Sequence, residues 1–173
     1  GLRITDEKTI KIAEEVLIEF NKEIVEALKN KKCAAEEINT KKNNIISVIK
    51  EDEKLGFVGN PYKLNKTSLD KIINEKKVPV IAPLGLDEEG QSFNINADTA
   101  AGYIAKELNA RRLIIMSDVQ GVLDKNKNLI SEINSKKIKE LIEDDTISGG
   151  MIPKINNCLD VASNGVKGVV IID

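Results

Sequence analysis

Asn94, Asn96 and Asp98 bring two carboxamides and a carboxylate into a short stretch where the apolar pattern changes period. Upstream, Val78-Pro79-Val80-Ile81-Ala82-Pro83-Leu84 reads as one buried strand. Downstream, Ala101, Ile104, Ala105 and Leu108 recur at helical spacing. In extended backbone Asn94 and Asn96 leave on one face and Ile95 on the other, and Asp98 stands at the mouth of the helix. Open α/β sheets bind ligands where a strand gives way to a helix. Two amides offer donors and acceptors without charge, which suits a polar, partly anionic small molecule. Asn and Asp are also preferred helix caps. One cap is all a helix needs, so a cap accounts for one of the three groups and not for all of them.

A second stretch, Thr146-Ile147-Ser148-Gly149-Gly150, leads through Met151 and Ile152 to Pro153 and Lys154. Two glycines allow close approach of backbone to a ligand and permit positive φ. Pro153 is expected to open a helix, and a glycine loop opening a helix suits an anion. Lys154 in that first turn opposes the helix dipole, and a bound phosphate would reverse the sign of that effect. The glycine-to-lysine spacing is not that of a Walker A loop. A third stretch, Ser117-Asp118-Val119-Gln120-Gly121-Val122, follows the expected strand Leu113–Met116 and so falls at the ligand-binding edge of a sheet. Taken alone it is an ordinary polar loop. Arg3 supplies a guanidinium able to clamp a carboxylate through two bonds, although most single arginines simply face solvent.

Composition narrows the chemistry. The 173 residues suffice for one medium domain with a core. Charged residues make up 31% and nearly balance at −2, so no basic footprint for nucleic acid is expected. Aromatics are 3% with no Trp, which argues against base-stacking platforms. The chain has no His, so chemistry must come from Lys, Arg, Asp, Asn and backbone amides, and no protein metal site is expected. No apolar run approaches the roughly 20 residues that span a bilayer, and no signal peptide is evident, so no membrane partner is expected. Cys158 shares an apolar stripe with Ile155, Leu159 and Ala162 and is read as packing; Cys33 lies far away in sequence. Together these point to a reducing, cytoplasmic setting.

The elements that must position these groups follow from periodicity. Thr5 is the expected cap of a helix marked by Ile10, Ala13, Val16, Leu17 and Phe20 and continued by Ile24, Val25 and Leu28, either unbroken or divided near Asn21. A short strand is expected to begin at Cys33–Ala35; two more, over Ile45–Ile49 after a turn at Asn43-Asn44 and over Leu55–Gly59, are expected to form a small antiparallel layer beside the main sheet. Thr67 is expected to cap a helix through Leu69, Ile72 and Ile73. Gly121–Ile130 reads as two strands around a polar turn, Ile138, Leu141 and Ile142 as a helix, and Val169–Ile172 as a last strand. Helices alternating with apolar strands predict an α/β fold: a mainly parallel sheet covered on both faces, in a single domain over 1–173.

Read together, Gly1–Asp6, Leu55–Gly59, Pro79–Pro83, Phe93–Ala101, Ser117–Asp124 and Ile147–Lys154 resemble the amino-acid kinase family, and most of all its members acting on N-acetyl-L-glutamate. The resemblance implies an open αβα sandwich, a homodimer, and ATP-dependent phosphorylation of the γ-carboxylate of N-acetyl-L-glutamate in arginine biosynthesis. It implies that Arg3 pairs with a substrate carboxylate, that Asn94 and Asn96 bind substrate, and that Asp98 orients catalytic lysines. Lys154 would stabilise charge on the transferring phosphoryl group. Ser117, Asp118, Val119, Gln120, Gly121 and Val122, with Thr146, Ile147, Ser148, Gly149 and Gly150, would contact nucleotide, and Mg²⁺ would ride on the ATP phosphates. Phosphoryl transfer needs positioning and positive charge more than covalent chemistry, so the lack of His is no obstacle. The family's N-terminal strand, first catalytic lysine and Gly-Gly loop, and its elements beyond the last strand, have no counterpart in these residues. The chain is therefore expected to be an incomplete domain that turns over little substrate alone. Ala35–Asn39 also stands where the family often carries a glycine-containing loop. Alternatives are a kinase of the same family acting on carbamate, glutamate or a nucleotide, or a non-catalytic remnant that binds nucleotide or a partner.

Overall fold

The computed structural model describes residues 4–173, so Arg3 lies outside the described residues. The fold divides into two compact units, one running to Ala100 and the other comprising Ala101–Asp173. In chain order the first contains α1 (Glu7–Asn30), β1 (Ala35–Ile38), β2 (Ile46–Lys50), a 3-10 turn (Glu53–Leu55), β3 (Gly59–Leu64), α2 (Lys66–Asn74), β4 (Val78–Ile81), β5 (Leu84–Leu86) and β6 (Ser92–Asn94). Helix α3 (Ala97–Glu107) begins in the first unit and ends in the second. The second continues with β7 (Leu113–Met116), α4 (Ser135–Glu143), α5 (Met151–Ser163) and β8 (Val169–Ile172).

Helix α1 is one uninterrupted helix of 24 residues. Its cap is Asp6 and not Thr5: the Asp6 carboxylate accepts the Thr9 amide at 2.7 Å. Thr5 is instead buried in a bridge to Gly56. Ile10, flanked by Leu17, Ile18 and Phe57, packs onto Ala82 and Leu84. Asn21, the possible break, is buried at 3% exposure. Its Nδ2 donates to the Val80 carbonyl at 2.9 Å, and its Oδ1 accepts from Asn39 Nδ2 at 3.1 Å. Asn39 Oδ1 in turn accepts the amides of Lys41 and Lys42 at 3.0 and 2.9 Å, so a carboxamide shapes the turn that follows β1.

Strands β1 and β4 pair in parallel, with Ala35 opposite Val78 and Ile38 opposite Ile81. A second sheet runs in the order β3-β2-β5-β6. Its central β2–β5 pair is parallel and its outer pairs are antiparallel. The expected antiparallel layer is thus not a separate one; it shares a sheet with a parallel pair. The run Val78–Leu84 is two strands. It breaks at Ala82-Pro83 because Pro83 has no N–H with which to continue a ladder. Leu55–Gly59 is not a strand either. A 3-10 turn ends at Leu55, Gly56 takes φ +70°, and β3 starts only at Gly59. Helix α2 is capped by Asn65, whose Oδ1 accepts the Ser68 amide at 3.2 Å, which leaves Thr67 inside the first turn.

In the second unit β7 and β8 pair in parallel, Leu113 opposite Val169 and Met116 opposite Ile172. Leu113 and Ile115 form a core with Ala105, Val161 and Val166, and Cys158 packs against it as expected. A Cβ on Gly102 would stand 2.7 Å from Asn157 Oδ1 and 2.8 Å from Val161 Cγ2, so only glycine lets α3 and α5 approach there. Val122, Ile138, Leu141, Ile147 and Ile155 make a second core. Gly121–Ile130 holds no regular strands. One bridge, Leu123 to Leu129, closes a turn in which the Asp124 carboxylate takes the amides of Asn126 and Asn128, each at 2.8 Å. That local satisfaction of the turn replaces a ladder. The α/β class with mainly parallel pairing is as expected. Among the described residues no helix is long and apolar enough to cross a membrane.

Glu14 of α1 binds two hydroxyls. Its Oε1 accepts from Thr40 Oγ1 and Ser92 Oγ, both at 2.5 Å, while Lys41 Nζ lies 3.3 Å from Oε2. Burial by itself raises this carboxyl, but the bonds from Ser92 and Thr40 and the charge of Lys41 outweigh it and hold it below the ordinary value. A depressed carboxyl contributes stability above its unfolded value, near 4.5, and that contribution is lost as pH falls through the folded value. Glu14→Gln should therefore flatten the acid limb of the melting temperature between about pH 5 and about pH 3; an unaltered limb in calorimetry refutes this. Asn21→Leu would leave the Val80 carbonyl and the Asn39 amide unpaired. Each orphaned group costs about 1–3 kcal/mol, so urea unfolding should show a loss of roughly 2–6 kcal/mol.

Candidate functional site

The first unit carries the two asparagines. Asn94 is the last residue of β6, opposite Leu84, and is half-buried. Its backbone amide donates to the Phe57 carbonyl at 2.9 Å. Ser92, two residues earlier and on the same strand face, is tied to Glu14 of α1. Ile95 is buried at 2% exposure, and its amide donates to the Pro83 carbonyl at 2.9 Å. Because β6 stops at Asn94, the two asparagines do not share one face of a single strand as the alternation predicts. Asn96 is the helix cap among the three polar groups. Its Oδ1 accepts the Thr99 amide at 3.1 Å and lies 3.4 Å from Thr99 Oγ1. Its Nδ2 makes no hydrogen bond to another described residue, so the donor side of this amide is available to a ligand. Asp98 is the second residue of α3, half-buried in its first turn, where a carboxylate suits the helix dipole.

The second unit carries the glycine loop and Lys154. Thr146 is tied down by Asp144, whose Oδ1 accepts both the Thr146 amide at 3.1 Å and its hydroxyl at 2.5 Å. These bonds, with Lys125 at 3.2 Å, hold the Asp144 carboxyl below its ordinary value. Ile147 is buried at 2% exposure and its amide donates to Leu141 at 2.8 Å, so its side chain belongs to the core and not to a ligand. Gly149 has φ +55°, and a Cβ there or on Gly150 would meet nothing within 4 Å. Packing does not require these glycines; they leave the backbone open to approach. Helix α5 starts at Met151, two residues before Pro153, with Gly150 as a cap that has no side chain to bond. Met151 and Ile152 donate to Ser148 and Gly149 at 3.2 and 3.3 Å, and Pro153 has no amide hydrogen. The helix mouth therefore has few donors to spare. An anion there would depend on the loop amides and on the Lys154 ammonium, half-buried one residue further on.

The loop after β7 is anchored at both ends. The Ser117 amide donates to Ile172 at 2.8 Å, and its hydroxyl lies 3.3 Å from Asp118 Oδ1. Val122 is in the core at 7% exposure, while Asp118, Val119 and Gln120 are exposed. Gly121, at φ +141°, is favoured by its backbone conformation, which side chains rarely adopt; the nearest atom to a Cβ there is the flexible end of Leu129, at 2.9 Å. Among the described residues no group of three His, Cys, Asp or Glu is placed to hold a metal ion. Sequence reasoning missed Glu14, because its partners lie 26 and 78 residues away. It also took Gly56-Phe57 for strand, where the glycine was the available sign of positive φ.

These features describe an α/β protein with its candidate polar groups at the ends of strands and the starts of helices. The model of the Amino acid kinase family matches residues 2–173, and the chain belongs to that family. Across its whole length it is 68% identical to acetylglutamate kinase of Pelagibacter ubique (strain HTCC1062), of which it covers 60%. It is 46% identical over 187 aligned positions to acetylglutamate kinase of Bradyrhizobium sp. (strain ORS 278), of which it covers 63%. A crystal structure of a Streptococcus mutans UA159 protein superposes with a TM-score of 0.92 at 30% identity, over all of this chain and 71% of that one. The chain thus spans about three-fifths of the length of the acetylglutamate kinases it matches.

Proposed function

We propose that this protein acts as an acetylglutamate kinase: it transfers the γ-phosphoryl group of ATP to the γ-carboxylate of N-acetyl-L-glutamate, a step of arginine biosynthesis in the cytoplasm. The observation that carries the reading is identity at 68% of positions with such an enzyme, extending over every residue of this chain. The open donor of Asn96 and the half-buried amide of Asn94 support a polar acyl amino acid as substrate.

In this reading a γ-carboxylate oxygen forms a bond to the γ-phosphorus, the bond from that phosphorus to the ADP oxygen breaks, and an acyl phosphate and ADP result. Asn94 and Asn96 hold the acyl amino acid, and Arg3 pairs with its other carboxylate. Lys154 stabilises negative charge on the phosphoryl oxygens, where a fixed cation is worth more in the transition state than in the ground state. Asp98 takes the part of the aspartate that, by the family resemblance, orients catalytic lysines. The loops Ser117–Val122 and Thr146–Gly150 hold nucleotide. For Val122 and Ile147 only backbone groups remain for that role, since their side chains are core. Bound Mg²⁺ would neutralise phosphate charge.

Lys154→Ala in the intact protein should lower kcat by at least about tenfold with KM for N-acetyl-L-glutamate little changed; an unchanged kcat refutes the role given to Lys154. We also propose a homodimer. Ile12, Val16 and Phe20 recur every four residues on α1 and are 52%, 57% and 56% exposed, an apolar stripe on a helix otherwise charged outward. Phe20→Glu should halve the mass seen by light scattering, and a mass that stays dimeric excludes α1 as the contact.

A further inference from the structure

We infer that Gly56 and Phe57 are positioning residues for substrate binding, holding Asn94 in place through a backbone relay that starts at Thr5. The inference rests on the proposed role of Asn94 toward N-acetyl-L-glutamate. Thr5 immediately precedes the cap of α1 and is 2% exposed. Its amide donates to Leu55 at 2.9 Å and its carbonyl accepts the Phe57 amide at 2.7 Å. The Phe57 carbonyl then accepts the Asn94 amide at 2.9 Å. Two parallel bridges, Thr5 to Gly56 and Val58 to Asn94, flank these bonds, so backbone groups tie three distant chain segments together. The Phe57 ring also rests on Phe93, with centroids 5.6 Å apart and planes tilted by 48°. Residue 57 therefore grips both Asn94 and the residue before it.

Gly56 makes the relay possible. It adopts φ +70° and ψ −121°, a conformation that side chains rarely take. A Cβ there would stand 2.3 Å from the Thr5 carbonyl oxygen and 3.1 Å from its carbon. These are backbone atoms at the start of a long helix, so the loop must give way, and with it the Phe57 carbonyl that carries Asn94. Sequence position hides this relation: residues 5, 57 and 94 meet only in the fold. A displaced Asn94 amide weakens acyl-amino-acid binding and leaves nucleotide binding, assigned to the other unit, unaffected.

The test compares Gly56→Ala, Phe57→Leu and Leu69→Ala in the intact protein. Leu69 of α2 is 1% exposed, so its truncation loosens the same unit without touching the relay. Three readouts are taken: amide hydrogen exchange, melting temperature, and titration with N-acetyl-L-glutamate and with ATP. Gly56→Ala should speed exchange at Asn94 and Phe57 by about tenfold or more and leave Ile95, held by Pro83, within about twofold. Its Kd for N-acetyl-L-glutamate should rise about tenfold or more while that for ATP stays within about twofold. Leu69→Ala should lower the melting temperature without that selective loss. Unchanged exchange at Asn94 overturns the relay, as does an equal loss of affinity in Leu69→Ala. Should Gly56→Ala fail to fold, Phe57→Leu decides, since loss of the ring contact with Phe93 frees the loop that carries the Phe57 carbonyl: faster Asn94 exchange with weaker substrate binding supports the inference, and no change overturns it. If exchange responds as stated but the unsubstituted protein binds no N-acetyl-L-glutamate, the relay stands and the substrate assignment falls.

Discussion

Helix α1 is fastened to the strands beneath it by the buried carboxamide of Asn21. Its donor is spent on the Val80 carbonyl of β4 and its acceptor on Asn39, whose own oxygen closes the turn after β1. A buried amide is costly unless both ends are satisfied. Here both are, and by partners from two separate segments, so the helix has one register against the first unit. Apolar contact alone would tolerate some sliding; directional bonds to fixed carbonyls do not. Glu14, two turns earlier, adds a second fixed point by binding Thr40 of the same turn and Ser92 of β6.

The candidate site inherits its order from those ties. Ser92 and Asn94 are two residues apart on a three-residue strand, so what holds Ser92 also restrains Asn94. In the second unit the two loops assigned to nucleotide are anchored by apolar side chains. Val122 and Ile147 enter one core with Ile155 of α5, while Asp118 to Gln120 and the glycine pair remain on the surface. Rigid roots and exposed tips let a binding loop keep its place while its backbone stays accessible.

Much of this was readable without coordinates. Helices α1, α4 and α5 and strands β2, β7 and β8 follow from apolar period, because a face buried at 3.6-residue or two-residue spacing leaves its mark on composition. Caps were less legible. At both Thr5-Asp6 and Asn65-Thr67 the chemistry allows more than one residue to serve, and the choice fell to the one whose neighbour was needed elsewhere or lay inside the turn. The single apolar run from Val78 to Leu84 concealed a change of partner strand at Pro83, since hydrophobicity reports burial and not which ladder a strand joins. Gly121 and Gly149 look alike in sequence. The first is buried beside Leu129 and Ile171, and open space surrounds the second.

The α/β class was already fixed by apolar period, and the family was carried by the resemblance of several short motifs, because both are written in the order of residues along the chain. The tertiary structure decided which of the three polar residues caps α3, which loop side chains are core, and which backbone groups hold Asn94. The last of these depends on Thr5, Phe57 and Asn94 meeting one another, just as the ties of Glu14 depend on Thr40 and Ser92, 26 and 78 residues away. Hydrogen bonds between residues so far apart leave no period in a chain; they exist only once the backbone has folded and each buried polar group has to find its partner.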